Sequence, residues 1–279
     1  MLNQAFGDFE FLIVDDCSTD GSWEYLNGLQ DKRVTLYRNE INRGLFFNLN
    51  FLIKKSQGSI IKIWAQDDVM YTDCLKEIIS FHQQHPEIGF SYTERDFIDA
   101  DSVMLQGRGT DNTPEIISPE LHTTIAFTAG SIAGNICNVS INAAILNEVG
   151  LFNESMKISG DFEMWVRLAK RHPVGFIKKP LVQFRNHKEQ LSGQEQYFIY
   201  HLKEDLQVYR ILLGTISTEQ QRAGRKLLRN NKFTFYYTLM LKALFKGQVK
   251  TAYQFFKLLN SFDNFFLLTY GYVKNIVLK

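Results

Sequence analysis

Asp15, Asp16, Asp67, Asp68 and Asp161 stand where three apolar runs break off: FEFLIVDDCSTD (Phe9 to Asp20), IIKIWAQDD (Ile60 to Asp68) and ISGDFEMW (Ile158 to Trp165). Clustered carboxylates repel one another, so a fold gathers them around a divalent cation, a ribose-type hydroxyl pair or a proton in transfer. An apolar run ending in acids is the pattern of a buried strand reaching the ligand-facing edge of an open α/β sheet. Three such edges predict one shared acidic site.

The elements that must carry these acids follow from periodicity. Phe9 to Val14 reads as a buried strand, Asp20 to Gln30 as a short helix and Val34 to Arg38 as a second strand, a βαβ opening. Leu45, Leu49, Leu52 and Ile53 place a helix over 45–55, and Gly58 stops it before a third strand at Ile60 to Trp64. A further helix is predicted from Asp73 to His85, ended by Pro86, and a strand from Gly89 to Thr93. Residues 101–120, rich in Asp, Gly, Thr and Pro, read as a loop able to cover a site or touch a substrate. After about residue 190 the strand pattern ends. Gln196 to Lys279 carries helical periodicity alone, which divides the chain into an α/β region, 1–190, and a helical region, 191–279.

Composition sets the class. At 279 residues and 45% hydrophobic the chain buries a substantial core, and 31 basic residues against 30 acidic leave no field that would favour nucleic acid. Cys17, Cys74 and Cys137 are odd in number and widely spaced, which fits free thiols in a reducing, cytoplasmic compartment. No run reaches the roughly 18 apolar residues of a membrane span. The last forty residues place six lysines (242, 246, 250, 257, 274, 279) among aromatic residues, with Asp263 the single acid. That mixture suits either peripheral contact with an anionic membrane or aromatic packing on the α/β region beneath a soluble lysine face.

Taken in order, VDDCSTDGS (Val14 to Ser22), the NRG of Asn42 to Gly44 with Asn50, AQDD (Ala65 to Asp68), VGLF (Val149 to Phe152) and GDFEMWVRL (Gly160 to Leu168) resemble the family 2 glycosyltransferases from residue 1 to about His187. The resemblance implies an α/β nucleotide-sugar-binding sheet of the GT-A fold. It also implies inverting transfer of a sugar from a nucleotide diphosphate, UDP foremost, to a hydroxyl of a glycan or lipid-linked acceptor in surface polysaccharide synthesis. Asp15, then Asp16, would contact the nucleotide, with Ser18 and Asp20 shaping the turn and Cys17 standing where the family has Gly. Arg43 would approach the phosphates or face solvent. Asp67 takes the position of the metal-contacting acid and Asp68 follows it, while Ala65 replaces the family's first acid; Mn²⁺ or Mg²⁺ is the implied cofactor. His187 is a further candidate at the metal or the diphosphate.

Asp161 aligns with the general base that takes the acceptor's proton, and Gly160 stands where the family often has Glu. Glu163 and Arg167 read as a surface pair at i,i+4. Trp165 lines the sugar pocket or fills the core, and Gly134 and Asn135 of GSIAGN form part of the acceptor wall. The family's opening strand, loop and helix, about 20 to 30 residues by usual element lengths, would precede Met1, so the chain as given is expected to have reduced or absent activity. Two alternatives stay open. A catalytically inactive nucleotide-sugar-binding or scaffold protein would explain Ala65 and Gly160. A sugar-phosphate nucleotidyltransferase would share the sheet and the carboxylates.

Overall fold

The computed structural model describes residues 1–105, 111–186 and 194–277. His187, and residues 106–110 of the expected loop, lie outside them. In chain order the elements are β1 (Phe11–Asp15), α1 (Ser22–Asn27), β2 (Val34–Arg38), α2 (Leu45–Lys55), β3 (Ile60–Lys62), β4 (Val69–Met70), α3 (Cys74–Gln84), β5 (Phe90–Ile98), β6 (Ile116–Ile117), α4 (Pro119–Thr128), β7 (Val139–Asn142), α5 (Leu146–Val149), α6 (Gly160–Ala169), β8 (Val174–Arg185), α7 (Phe198–Leu213), α8 (Thr218–Asn230), α9 (Lys232–Phe245), α10 (Val249–Phe262) and α11 (Phe265–Tyr272). They form two compact units, residues 1–119 with 133–187, and residues 120–132 with 188–279.

In the first unit β1 pairs in parallel with β2 in a two-stranded sheet. A second sheet runs β3-β7-β5-β8-β4, with β6 on β8. Its backbone is the long parallel pair β5 and β8, whose register shifts between Thr93 and Arg95. Phe90, Tyr92, Val139, Ile141, Val174 and Phe176 face inward and are buried, and the Tyr92 and Phe176 rings stack at 4.6 Å. Helix α3 covers the other face, packing Cys74, Ile78 and Phe81 against Ile88, Ile177 and Leu181. Helix α2 spans the residues its periodicity predicts, with Lys54 and Lys55 in the last turn where the helix dipole favours cations. β5 runs five residues beyond its expected end because β8 continues to pair with it as far as Arg185.

The second unit is helical, and residues 120–132 group with it. Helix α8 opens with a capping box in which Ser217 and Gln220 satisfy each other's backbone N–H groups. Tyr209 of α7, Phe233 of α9 and Phe262 of α10 meet edge to face in its core, Phe233 to Phe262 at 5.3 Å. No helix among the described residues is long and apolar enough to cross a membrane.

Candidate functional site

Asp15 ends β1 beside its register partner Arg38 on β2. Its side chain is buried, accepts the Ser18 backbone N–H at 3.2 Å and lies 3.3 Å from the Arg38 guanidinium, which itself sits over the Trp23 ring. A ligand that uses this carboxylate therefore competes with Arg38, a partner that sequence reading missed. The turn that follows needs a left-handed residue, and Cys17 supplies it at φ 66°. Glycine suits that conformation, and a side chain there carries strain of about 1 kcal/mol or more.

Asp16 is a helix anchor. It accepts the backbone N–H groups of Arg43 (2.8 Å) and Gly44 (2.9 Å) at the entrance to α2, and the Asn39 amide at 2.8 Å, which also bonds Asn48. Partial burial raises its pKa, but these hydrogen bonds outweigh that and hold the carboxyl below its ordinary value. The NRG motif is thus read by Asp16 through its backbone. The Arg43 side chain is exposed and rests on the Phe47 ring at 4.5 Å, the solvent-facing alternative of the sequence reading.

Helix α2 also fixes the third acidic motif. Asn50 exchanges two hydrogen bonds of 2.9 Å with the backbone of Phe152, which ties VGLF to α2. From the other side Arg167 of α6 donates to the carbonyls of Val149 and Leu151 and to Glu163. Glu163 is only 5% exposed, so the expected surface pair is instead a buried clamp on that loop. The Phe46 ring of α2 stacks on Phe152 at 5.6 Å and fills the space where a Gly160 side chain would go; a Cβ there would meet Phe46 Cε2 at 2.6 Å. This explains glycine in place of an acid. Asp161, half-buried in the first turn of α6, accepts the Phe162 N–H at 2.7 Å, where the helix N-terminus favours the ionised carboxylate.

Of its two readings, Trp165 takes the core. It is 0% exposed, tilted against Phe90 at 5.2 Å and edge-on to Phe152 at 5.8 Å, because the buried face of α6 turns it into the sheet.

The second acidic motif forms a separate constellation. Asp68 is buried, accepts the Arg185 backbone N–H at 2.8 Å and lies 3.4 Å from the Asn135 amide. Burial pushes its pKa up, and those hydrogen bonds only partly offset the push. Its observed work is to join the 67–68 turn to β8 and to the GSIAGN segment. Arg185 completes the junction by donating to the carbonyls of Asp67, Asp99 and Ala100 and to Ser102. Nothing in the sequence marked this arginine, two residues before the candidate His187. Gly134 is left-handed at φ 70° with the Arg95 guanidinium 2.7 Å from where a Cβ would stand, and Asn135 caps the short turn at Cys137. Lys62 reaches beneath them to the carbonyls of Cys137 and Val139, and burial lowers its pKa.

Three acid-bearing segments are thus placed, but not as a carboxylate cage. Among the described residues no three His, Cys, Asp or Glu side chains gather as a metal site. Asp15, Asp16 and Asp68 each have their own donors. Asp67 is half-buried in the turn between β3 and β4.

Comparison with known proteins agrees with this architecture. The family model described as Glycosyl transferase family 2 matches residues 1–134. The chain is 26% identical over 172 residues to the Escherichia coli UDP-Glc:alpha-D-GlcNAc-diphosphoundecaprenol beta-1,3-glucosyltransferase WfaP, covering 61% of this chain and 62% of that protein. It is 30% identical over 172 residues to the putative colanic acid biosynthesis glycosyl transferase WcaA of Escherichia coli K12, covering 60% and 58%. The chain therefore spans less than two thirds of these relatives. Staphylococcus aureus TarS 1–349 in complex with UDP-GlcNAc superposes with a TM-score of 0.69 at 18% identity, over 93% of this chain and 74% of that one. The mannosyltransferase PcManGT of Pyrobaculum calidifontis, solved with GDP-Man and Mn²⁺, superposes with a TM-score of 0.55 at 14% identity, over 93% and 68%. These likenesses carry the fold, an α/β sheet flanked by helices of the GT-A kind.

Proposed function

We propose that this chain, whose residues 1–134 match the model described as Glycosyl transferase family 2, is a member of that family and transfers a sugar from a nucleotide diphosphate to a hydroxyl with inversion at the anomeric carbon. The observation that carries the reading is the seating of Asp161. Gly160 against Phe46, and the Arg167 clamp behind, hold that carboxylate at a helix N-terminus. There Asp161 accepts the proton of the acceptor hydroxyl as its oxygen bonds the anomeric carbon and the bond to the diphosphate breaks.

UDP is the preferred nucleotide, supported by the UDP-Glc in the name of WfaP and the UDP-GlcNAc bound to TarS. The diphosphoundecaprenol of WfaP and the colanic acid of WcaA support an acceptor on a lipid-linked or growing surface glycan. Asp15 contacts the nucleotide by exchanging Arg38 for it. Asp67 holds a divalent cation, Mn²⁺ or Mg²⁺, which neutralises charge on the departing diphosphate; the Mn²⁺ of PcManGT supports this choice. Three free thiols support a reducing, cytoplasmic site of action.

The test is Asp161→Asn with UDP-sugars, reading donor binding by calorimetry and transfer by UDP release onto a lipid-diphosphate acceptor. Retained donor binding with transfer lowered about 10²- to 10⁴-fold is expected for loss of a general base. Undiminished transfer would remove Asp161 from the chemistry, and donor binding without transfer in the parent chain would favour the inactive binding protein suggested by Ala65.

A further inference from the structure

The helical unit carries an aromatic ridge on its surface. Val249, Tyr253 and Phe256 repeat at i, i+4 and i+7 along α10, and the first two are exposed. Phe266, Tyr270 and Val273 repeat the same spacing through α11 and just past its end, and all three are exposed. Tyr253 meets Phe256 at 6.3 Å along α10, and Phe256 meets Phe265, the chain neighbour of Phe266, at 4.7 Å, so α10 packs against the start of α11. At the turn between α9 and α10, Phe245 stands 88% exposed, and Phe266 on α11 is 84% exposed. Several side chains of this size left in water on adjoining helices mark a surface that is covered in use.

Charge selects the cover. Lys242, Lys250, Lys257 and Lys274 are exposed around the ridge. The one acid between residues 240 and 277, Asp263, is paired with Arg229 at 3.0 Å, and Glu195 lies 3.7 Å from Lys246. A second copy of the chain would bring the same lysines against these, and lysine is depleted from protein interfaces. An anionic bilayer accepts both features at once. Aromatic rings enter the headgroup layer while lysine stems lie along the apolar surface and carry their charges to lipid phosphates. We infer that the α9 to α11 ridge is a docking surface for an anionic membrane, on which these helices lie without crossing it. This assignment uses the helical unit alone and stands or falls separately from the transferase reading.

Flotation of the full chain with vesicles tests it. Phosphatidylcholine mixed with phosphatidylglycerol is expected to carry the protein, and phosphatidylcholine alone to carry much less. Neutralising Lys250 or Lys257 to Gln is expected to weaken partitioning about five-fold each. Phe245→Ser with Phe266→Ser is expected to abolish it, with circular dichroism and melting unchanged because both rings are in solvent. Phe245→Trp gives an independent reading, a blue shift of emission when anionic vesicles are added. Absence of binding at low salt, or binding that survives the double serine substitution, overturns the assignment. So does a dimer that the double substitution converts to monomers, which would give the ridge to a second copy.

Discussion

Gly160→Ala is the sharpest test of how Asp161 is held. At the start of a helix alanine is ordinarily the better residue, by up to about 1 kcal/mol. Here the added methyl would sit 2.6 Å from Phe46 Cε2 and 2.7 Å from Cζ, so ring or helix must give way by most of an ångström. The ring has little room to yield, because it stacks on Phe152, which is itself edge-on to the buried Trp165. Overpacking of this kind costs about 1–3 kcal/mol. For a unit of this size that lowers Tm by about 2–12 °C, at about 2–4 °C per kcal/mol. If α6 moves instead of the ring, Asp161 moves with it, and a 1 Å misplacement costs about 10²-fold in turnover. The assay is thermal melting and transfer rate for Gly160→Ala, Phe46→Leu and the double variant. Phe46→Leu is expected to rescue the alanine, giving a favourable coupling of about 1 kcal/mol or more. An alanine variant that melts at or above the parent temperature with full activity would refute the packing argument, because the sign itself would be wrong.

Asp68→Ala is expected to destabilise the chain by about 1–3 kcal/mol in urea titration, because the Arg185 N–H loses its buried acceptor. Asp68→Asn keeps an acceptor, and since burial raises the folded-state pKa of Asp68, the advantage of Asn over Asp should grow as pH rises above about 4. His82 is buried 2.9 Å from Ser91 Oγ, and burial pushes its pKa down from 6.5 to about 4. The unfolded chain therefore takes up a proton that the folded one refuses, and stability should fall by up to about 3 kcal/mol between pH 6.5 and 4, a slope that His82→Gln should flatten.

Local pattern made part of this legible. The apolar spacing of 45–55 gave α2 residue for residue, and the break from apolar to acidic at Asp67 and Asp161 marked a turn and a helix start. What escaped depends on partners distant in sequence. The donors that Asp16 accepts from, the backbone of Arg43 and Gly44, arrive 27 and 28 residues later. Glu163 and Arg167 have the spacing of a solvated pair, and only the carbonyls of Val149 and Leu151 turn them inward. Arg185 carries no local signal at all, since its meaning lies in the Asp67 and Asp68 turn more than a hundred residues earlier.

The same long reach governs how the molecule comes into being. Asn50 waits 102 residues for Phe152, and Asp68 waits 117 for Arg185. Closing loops of that length precedes the contacts that reward it, so sheets joined this way form slowly. On the ribosome, at about 5–20 residues per second, α2 emerges with its buried Asn50 amide unmet and the Asp68 turn without Arg185. The first network closes only once Phe152 and Arg167 have been made and the second only with Arg185, so the nascent chain acquires its chemistry late.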